Sequence, residues 1–175
     1  SLDGVVESPE KWHFPFLDDR MKAAVNSLFT QADALLLGRN TFQIFAASWP
    51  KQTGDQFLAR RINSMRKYVI SSTKDLLGWE NSIILDGPGR AAIEDLRRQN
   101  SGVIAVAGSI TLVRWLIEHE LLDELQLIQH PVVLGSGRQL FTPPITAMPV
   151  TFTLTSSAAF PTGVLDLVYG RPKAG

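Results

Sequence analysis

The sequence predicts an α/β fold: a mostly parallel sheet with helices on both faces and a β-hairpin at the C-terminus. Short apolar runs end at glycine-containing turns, and helical spacing follows those turns. This strand–turn–helix order repeats through the first three quarters of the chain. Residues 103–116, VIAVAGSITLVRWL, show it most plainly. Val103 to Ala107 form an uninterrupted apolar run, as in a strand buried on both faces. Gly108 permits a sharp turn and Ser109 suits a helix N-cap. Ile110, Val113 and Ile117 then recur at helical spacing, with Leu112 and Leu116 beside them. Such a corner favours an anion, because free N–H groups and the helix dipole point into it. Taken alone it is also an ordinary structural turn.

Each further element has its own local signal. Residues 1–6 read as the tail of a strand, with the rest of that strand expected upstream of Ser1. Gly4 and Pro9 mark the loop that follows, which carries Trp12, His13, Phe14, Pro15 and Phe16. So aromatic a loop either packs over a core or forms a wall that stacks on a flat ligand. Asp18 or Asp19 caps a helix running to about Gln31, with Met21, Val25, Leu28 and Ala32 as its apolar stripe. Residues 33–37 form a buried strand that ends at Gly38-Arg39-Asn40-Thr41, and Phe42 and Phe45 begin a short helix closed by Pro50. This is a second corner, now with an arginine. Residues 54–65 predict a helix with Leu58, Ile62 and Met65 on one face; Arg60, Arg61, Arg66 and Lys67 are expected mostly on a solvated side and at the C-terminal end. Tyr68-Val69-Ile70 is a strand ending in Ser71-Ser72-Thr73, hydroxyls that either cap a turn or bond phosphate or ribose oxygens. Residues 82–85 form a strand, and residues 91–99 a helix with Ile93 and Leu96 inward. Residues 123–133 predict a strand ending in the tight turn LGSGR at 134–138. Residues 151–157 and 164–169 pair across a turn at 161–163.

Composition narrows the function classes. A chain of 175 residues without repeats or linkers is expected to be one domain. Lysine plus arginine and aspartate plus glutamate number 17 each, so nothing argues for electrostatic binding to nucleic acid or membrane. With no cysteine there is no disulfide, thiolate metal site or cysteine nucleophile. His13, His119 and His130 show no metal-ligand spacing. No apolar stretch approaches the ~20 residues that span a bilayer, and no signal peptide is visible, which points to the cytoplasm.

The motifs SLDG at 1–4, LLGRNTF at 36–42, YVISS at 68–72, AGSITLV at 107–113 and HPVVLGSGRQLF at 130–141 run through the whole chain in a fixed order. With them the chain resembles the dihydrofolate reductase-like superfamily, in the branch of the reductase domain of riboflavin biosynthesis. The resemblance implies a three-layer α/β/α sandwich on a central mixed sheet, with an NADPH site across the strand ends. It implies that Arg39 and Thr41 contact the cofactor phosphates. Ser71 and Ser72 would lie near the adenosine end, Gly108, Ser109, Ile110, Thr111 and Leu112 would hold the pyrophosphate, and Gly38 would belong to the same cofactor site. Asp3 would orient substrate or nicotinamide at the pocket floor, although its local reading is an Asx-turn before Gly4. Trp12, Phe14 and Phe16 would stack on a planar substrate. A homodimer is common in this branch, and the C-terminal hairpin with Val132-Val133-Leu134 is the expected edge.

Two departures bear on the substrate. Trp12-His13-Phe14-Pro15 resembles the Trp-x-x-Pro loop of dihydrofolate reductases, but the residue two beyond the proline is Leu17, not an acid. Asp18 and Asp19 follow it, as proton donors or as the helix cap. This counts against dihydrofolate itself. The zinc deaminase usually fused to the riboflavin reductase leaves no trace here, and Arg138 is the one candidate noted for a ribose phosphate. The expected activity is therefore hydride transfer from NADPH to a small planar, pterin- or pyrimidine-like C=N or C=O substrate. The competing expectation is a nucleotide-binding protein of the same fold without turnover.

Overall fold

The computed structural model describes residues 1–53, 56–76, 78–86, 89–142 and 149–172. The chain divides into two compact units, Val25–Val113 and Ser1–Ala24 with Arg114–Gly175.

In the Val25–Val113 unit four strands form a parallel sheet: β1 (Ala32–Gly38), β2 (Arg66–Ser71), β3 (Ser82–Asp86) and β4 (Val103–Ala105). Their order is β3-β2-β1-β4. Helix α1 (Asp19–Gln31) leads into β1; α2 (Arg39–Ser48) and α3 (Gln56–Ser64) connect β1 to β2. Helix α4 (Arg90–Gln99) precedes β4, and α5 (Ile110–Glu118) follows it. The sheet is buried on both faces at β1, because side chains alternate along a strand. Leu35 and Leu37 join Phe29, Phe42, Ile62, Met65, Val69 and Trp79 in one core cluster. Ala34 and Leu36, on the opposite face, are equally buried, as are Ile93 and Leu96 of α4.

Three expectations change here. The five-residue apolar run yields only a three-residue β4, and Val103 is half-exposed, because within this sheet β4 pairs with β1 alone. Lys67 is fully buried rather than solvated. Its Nζ donates to the carbonyls of Asn63 (2.7 Å), Met65 (2.8 Å) and Glu80 (3.1 Å) and lies 4.3 Å from the centre of the Trp79 ring. Burial lowers its pKa to about 8. Arg61 likewise turns inward, donating to the carbonyls of Phe29 (3.1 Å) and Ala32 (2.5 Å). Long cationic side chains here close the helix–strand junctions by satisfying carbonyls that the helices and strands leave unpaired.

In the other unit β5 (Glu124–Gln129), β6 (Thr153–Ala159) and β7 (Leu165–Gly170) form an antiparallel sheet in the order β5-β7-β6. The predicted C-terminal hairpin is the β6–β7 pair. Its turn places Gly163 at φ +82° and closes with a 2.8 Å bond from Phe160 N–H to the Val164 carbonyl. Met21, Phe160 and Val164 make a small core, against which Phe16, Leu17, Ala24 and Ile128 pack. The aromatic loop forms two short 3-10 turns, Pro9–Lys11 and Phe14–Phe16. The expected strand tail at 1–6 is instead a turn, with one bridge from Val5 to Gln139. Strand β5 stops at Gln129, so Val132-Val133-Leu134 is not a strand; Pro131 lacks an N–H for the ladder. Among the described residues no helix is long and apolar enough to cross a membrane.

Candidate active site

Each unit assembles one of the two groups of residues singled out from the sequence. In the Val25–Val113 unit the parallel arrangement puts the carboxyl ends of β2, β1 and β4 on one edge of the sheet, where ligands of such sheets gather. There Gly38, the last residue of β1, donates its N–H to the Ser109 hydroxyl (2.9 Å). Ser109 N–H donates to the Thr41 hydroxyl oxygen (3.0 Å). Gly108 and Ser109 are consecutive left-handed residues at φ +65° and +47°. A Cβ on Gly108 would approach Thr41 Cγ2 to 3.1 Å, so the backbone passes Thr41 where a side chain would crowd it. Ser109 is thus no ordinary N-cap: its side chain reaches across to the neighbouring strand end, while its carbonyl accepts from Val113 N–H (2.9 Å) to open α5. Helix α2 has no side-chain cap at its N-terminus. Two helix N-termini therefore flank the Gly38–Ser109 bond, and exposed Arg39 heads α2 with no ion-pair partner among the described residues. The hydroxyl proton of Thr41 is left to donate elsewhere, since the oxygen serves as the acceptor for Ser109.

Ser71 behaves differently. It is buried, and its hydroxyl donates to the Thr73 carbonyl (2.6 Å) while accepting the Thr73 N–H (3.1 Å). It closes the turn after β2, and Ser72 is the exposed hydroxyl of the pair.

In the other unit Asp3 is a long-range clamp. Its Oδ2 accepts the N–H groups of Leu134 (3.1 Å) and Gly135 (2.7 Å), and its carbonyl accepts Gln139 Nε2 (2.7 Å). Hydrogen bonding from the Ser1 side and from the Gly135 and Leu134 N–H groups holds the Asp3 carboxyl below the usual carboxylate range. Arg114 fixes the next stretch, donating to the carbonyls of Leu140 (2.6 Å) and Gln139 (2.5 Å) and to the Thr142 hydroxyl. The 134–138 turn is glycine-dependent: Gly137 sits at φ +117°, and a Cβ there would come within 2.7 Å of Val5 Cγ1. Trp12 is half-buried and donates its ring N–H to the Glu7 carbonyl (3.0 Å), whereas Phe14 is exposed. Asp18 Oδ1 accepts Met21 N–H (2.8 Å), which makes it the cap of α1.

Comparison with known proteins bears on the family and the fold. The description "RibD C-terminal domain" matches residues 1–165. The chain belongs to the RibD C-terminal domain family. The uncharacterized protein YyaP of Bacillus subtilis (strain 168) is 26% identical over 173 residues, covering 97% of this chain and 89% of that protein. The fold is shared with a pyrimidine reductase-like protein from Corynebacterium diphtheriae, at TM-score 0.66 and 15% identity over 99% of this chain and 89% of that one. It is shared too with RibD of Acinetobacter baumannii, at TM-score 0.67 and 16% identity over 99% of this chain and 56% of that one.

Within this RibD C-terminal domain the residue that sequence reasoning passed over is His130. The sequence separates the histidines widely, yet the fold sets the rings of His13 and His130 6.2 Å apart. Trp12 and Phe16 meet the His130 ring edge-on at 5.2 and 5.7 Å. The one available signal was its position as the first residue of the HPVVLGSGRQLF motif. His119, by contrast, stacks on Trp115 one helical turn earlier.

Proposed function

We propose that this RibD C-terminal domain is an NADPH-dependent reductase acting on a C=N or C=O bond of a small planar heterocycle, pterin- or pyrimidine-like. The observation that carries the reading is the Gly38–Thr41–Gly108–Ser109 corner, with two helix N-termini and, at one sheet edge, an exposed Arg39 that has no ion-pair partner among the described residues. A phosphate-bearing cofactor fits such a corner, because backbone N–H groups and both helix dipoles favour an anion there. In this reading the N–H groups of Ile110, Thr111 and Leu112 face the pyrophosphate. Arg39 and Thr41 take phosphate oxygens, and Ser72, with Ser71 shaping the turn, borders the adenosine end. NADPH supplies the hydride. Asp3 stays ionised, so it orients a ring N–H through its remaining oxygen rather than donating a proton. Trp12 and Phe14 wall the planar substrate. A homodimer working in the cytoplasm completes the proposal; light scattering that finds a monomer at micromolar concentration removes the dimer.

The deciding experiment is a paired titration with NADPH and NADH. The guanidinium fork matches a 2′-phosphate, and charge-assisted hydrogen bonds contribute about 1.5–3 kcal/mol each. Arg39→Ala is expected to weaken NADPH roughly 10- to 100-fold and leave NADH nearly unchanged. Equal loss for both nucleotides, or none for either, overturns the assignment. A second reading, nucleotide binding without turnover, is favoured by Leu17 packing into the small core and by Asp18 being engaged as a helix cap. Steady NADPH oxidation with any pterin, dihydropyrimidine or quinone excludes it.

A further inference from the structure

His130 is 4% exposed, and its Nε2 is buried without a hydrogen-bond partner. Nδ1 lies 3.1 Å from the Ile128 carbonyl oxygen. A carbonyl only accepts, so in the neutral ring Nδ1 carries the proton and Nε2 presents a lone pair. Burial keeps the ring neutral by lowering its pKa below the usual histidine value. A buried acceptor left unpaired is unfavourable, because it has given up its water without a replacement donor. Its surroundings are aromatic: Trp12, Phe16 and His13 stand around it at interplanar angles of 88°, 77° and 70°.

The covering loop is unevenly held. Phe16 is anchored against the Met21–Phe160–Val164 core. The short turns at Pro9–Lys11 and Phe14–Phe16 bury no residue, and Ser8 enters the first at φ +47°, in the left-handed region. The ring N–H of Trp12 is satisfied locally, five residues back, by Glu7. The described hydrogen bonds of Trp12 and His13 are to residues of the same loop, while Phe16 is anchored in the core.

We propose that His130 Nε2 is the hydrogen-bond acceptor for a ring N–H of a neutral planar heterocycle, which enters between His130 and the Trp12 and His13 edges and lies against Phe16. This deepens the substrate side of the proposed reductase and rests on that reading for the class of ligand. It makes His130 a specificity-determining residue: a ligand whose N–H is methylated has nothing to give Nε2 and leaves it unpaired.

The test uses the bicyclic lactam lumazine and 1,3-dimethyllumazine as probes, with dissociation constants measured calorimetrically on wild type, His130→Gln and His130→Phe. Wild type is expected to bind lumazine at least tenfold more tightly than the dimethyl compound. His130→Gln, whose side-chain oxygen reaches toward the Nε2 position, retains most of that ratio, and His130→Phe loses it. Equal binding of both probes by wild type overturns the proposal, as does failure of lumazine to bind. A ratio that persists in His130→Phe does the same. If His130→Phe does not fold, the wild-type ratio and His130→Gln still decide. NADPH-induced melting shifts on the same samples separate the two ideas. A missing shift counts against the reductase and leaves the lumazine ratio readable, whereas a normal shift with no ratio counts against His130 alone.

Discussion

The two units solve the same problem in opposite ways. At the Val25–Val113 sheet edge, β1 and β4 are hydrogen-bonded neighbours, and the polar groups of the corner pair across that short gap: Gly38 with Ser109, Ser109 with Thr41. In the other unit, Asp3 reaches Leu134 and Gly135 across 131 and 132 residues of sequence, and Trp12 meets His130. One group is supported by a sheet, the other by side-chain clamps between loops. Function placed on a sheet edge inherits its geometry from the ladder. Function placed on clamped loops depends on a few individual side chains.

The largest expected effect separates clamps within a core from clamps on loops. Lys67→Met removes three hydrogen bonds at once and leaves the Asn63, Met65 and Glu80 carbonyls without their donor. A destabilisation of about 2–4 kcal/mol is expected. Arg114→Met also frees carbonyls, at Gln139 and Leu140, but from a half-buried side chain where water can replace it. Its cost is expected to be about 1–2 kcal/mol. Denaturant unfolding of both variants checks the order; equal losses would erase the distinction.

Glycines sharpen the contrast at smaller scale. Gly137→Ala combines φ +117° with a 2.7 Å approach to Val5, and about 2–3 kcal/mol is expected. Gly108→Ala occupies the milder φ +65° with a 3.1 Å approach to Thr41, and about 1–2 kcal/mol is expected. Only the second is expected to weaken NADPH, because it pushes on Thr41. The check is melting temperature set beside nucleotide affinity for each variant.

The difference also explains what was legible in the sequence. The parallel sheet, the hairpin and the two glycine corners were readable because each is written in a contiguous run, with an apolar stretch, a glycine and a helical stripe within about fifteen residues. What the corner residues bond to was not readable. Ser109 resembles an N-cap locally, and its hydroxyl finds Gly38 only because β4 lies beside β1. Lys67 and Arg61 resembled a solvated basic face, since the pattern does not reveal which carbonyls lie unpaired within their reach. Val103 to Ala107 overstated β4: of this apolar run only Ala105 is buried, because within this sheet β4 pairs with β1 alone. His130 was missed for the same reason as the Asp3 clamp: its neighbours come from loops far away in the chain.

The smallest effect expected is a pH dependence specific to the clamped loops. Burial lowers the pKa of both His13 and His130 below the ordinary 6.5. Below pH 6.5 an unfolded histidine takes up a proton that its folded counterpart resists, so the unfolded state binds more protons. Stability from these rings is therefore complete above pH 6.5 and declines as pH falls toward their folded values. The slope should stay well under the ~1.4 kcal/mol per pH unit that one proton permits, because His13 is only partly buried and water screens it. Glu10 lies near enough to His13 to oppose the shift in part. Asp3 acts in a separate window. Its carboxyl is held low, so its contribution is complete above pH 3.8 and is lost only as pH drops through the folded value. Unfolding free energies between pH 5 and 8 should therefore fall on acidification in wild type and flatten in a His13→Gln/His130→Gln double variant. Amide exchange at Leu37 and Val69, in the sheet-supported unit, should not change slope between the two proteins. A flat wild-type profile, or an undiminished slope in the double variant, would mean that burial does not hold the two imidazoles neutral.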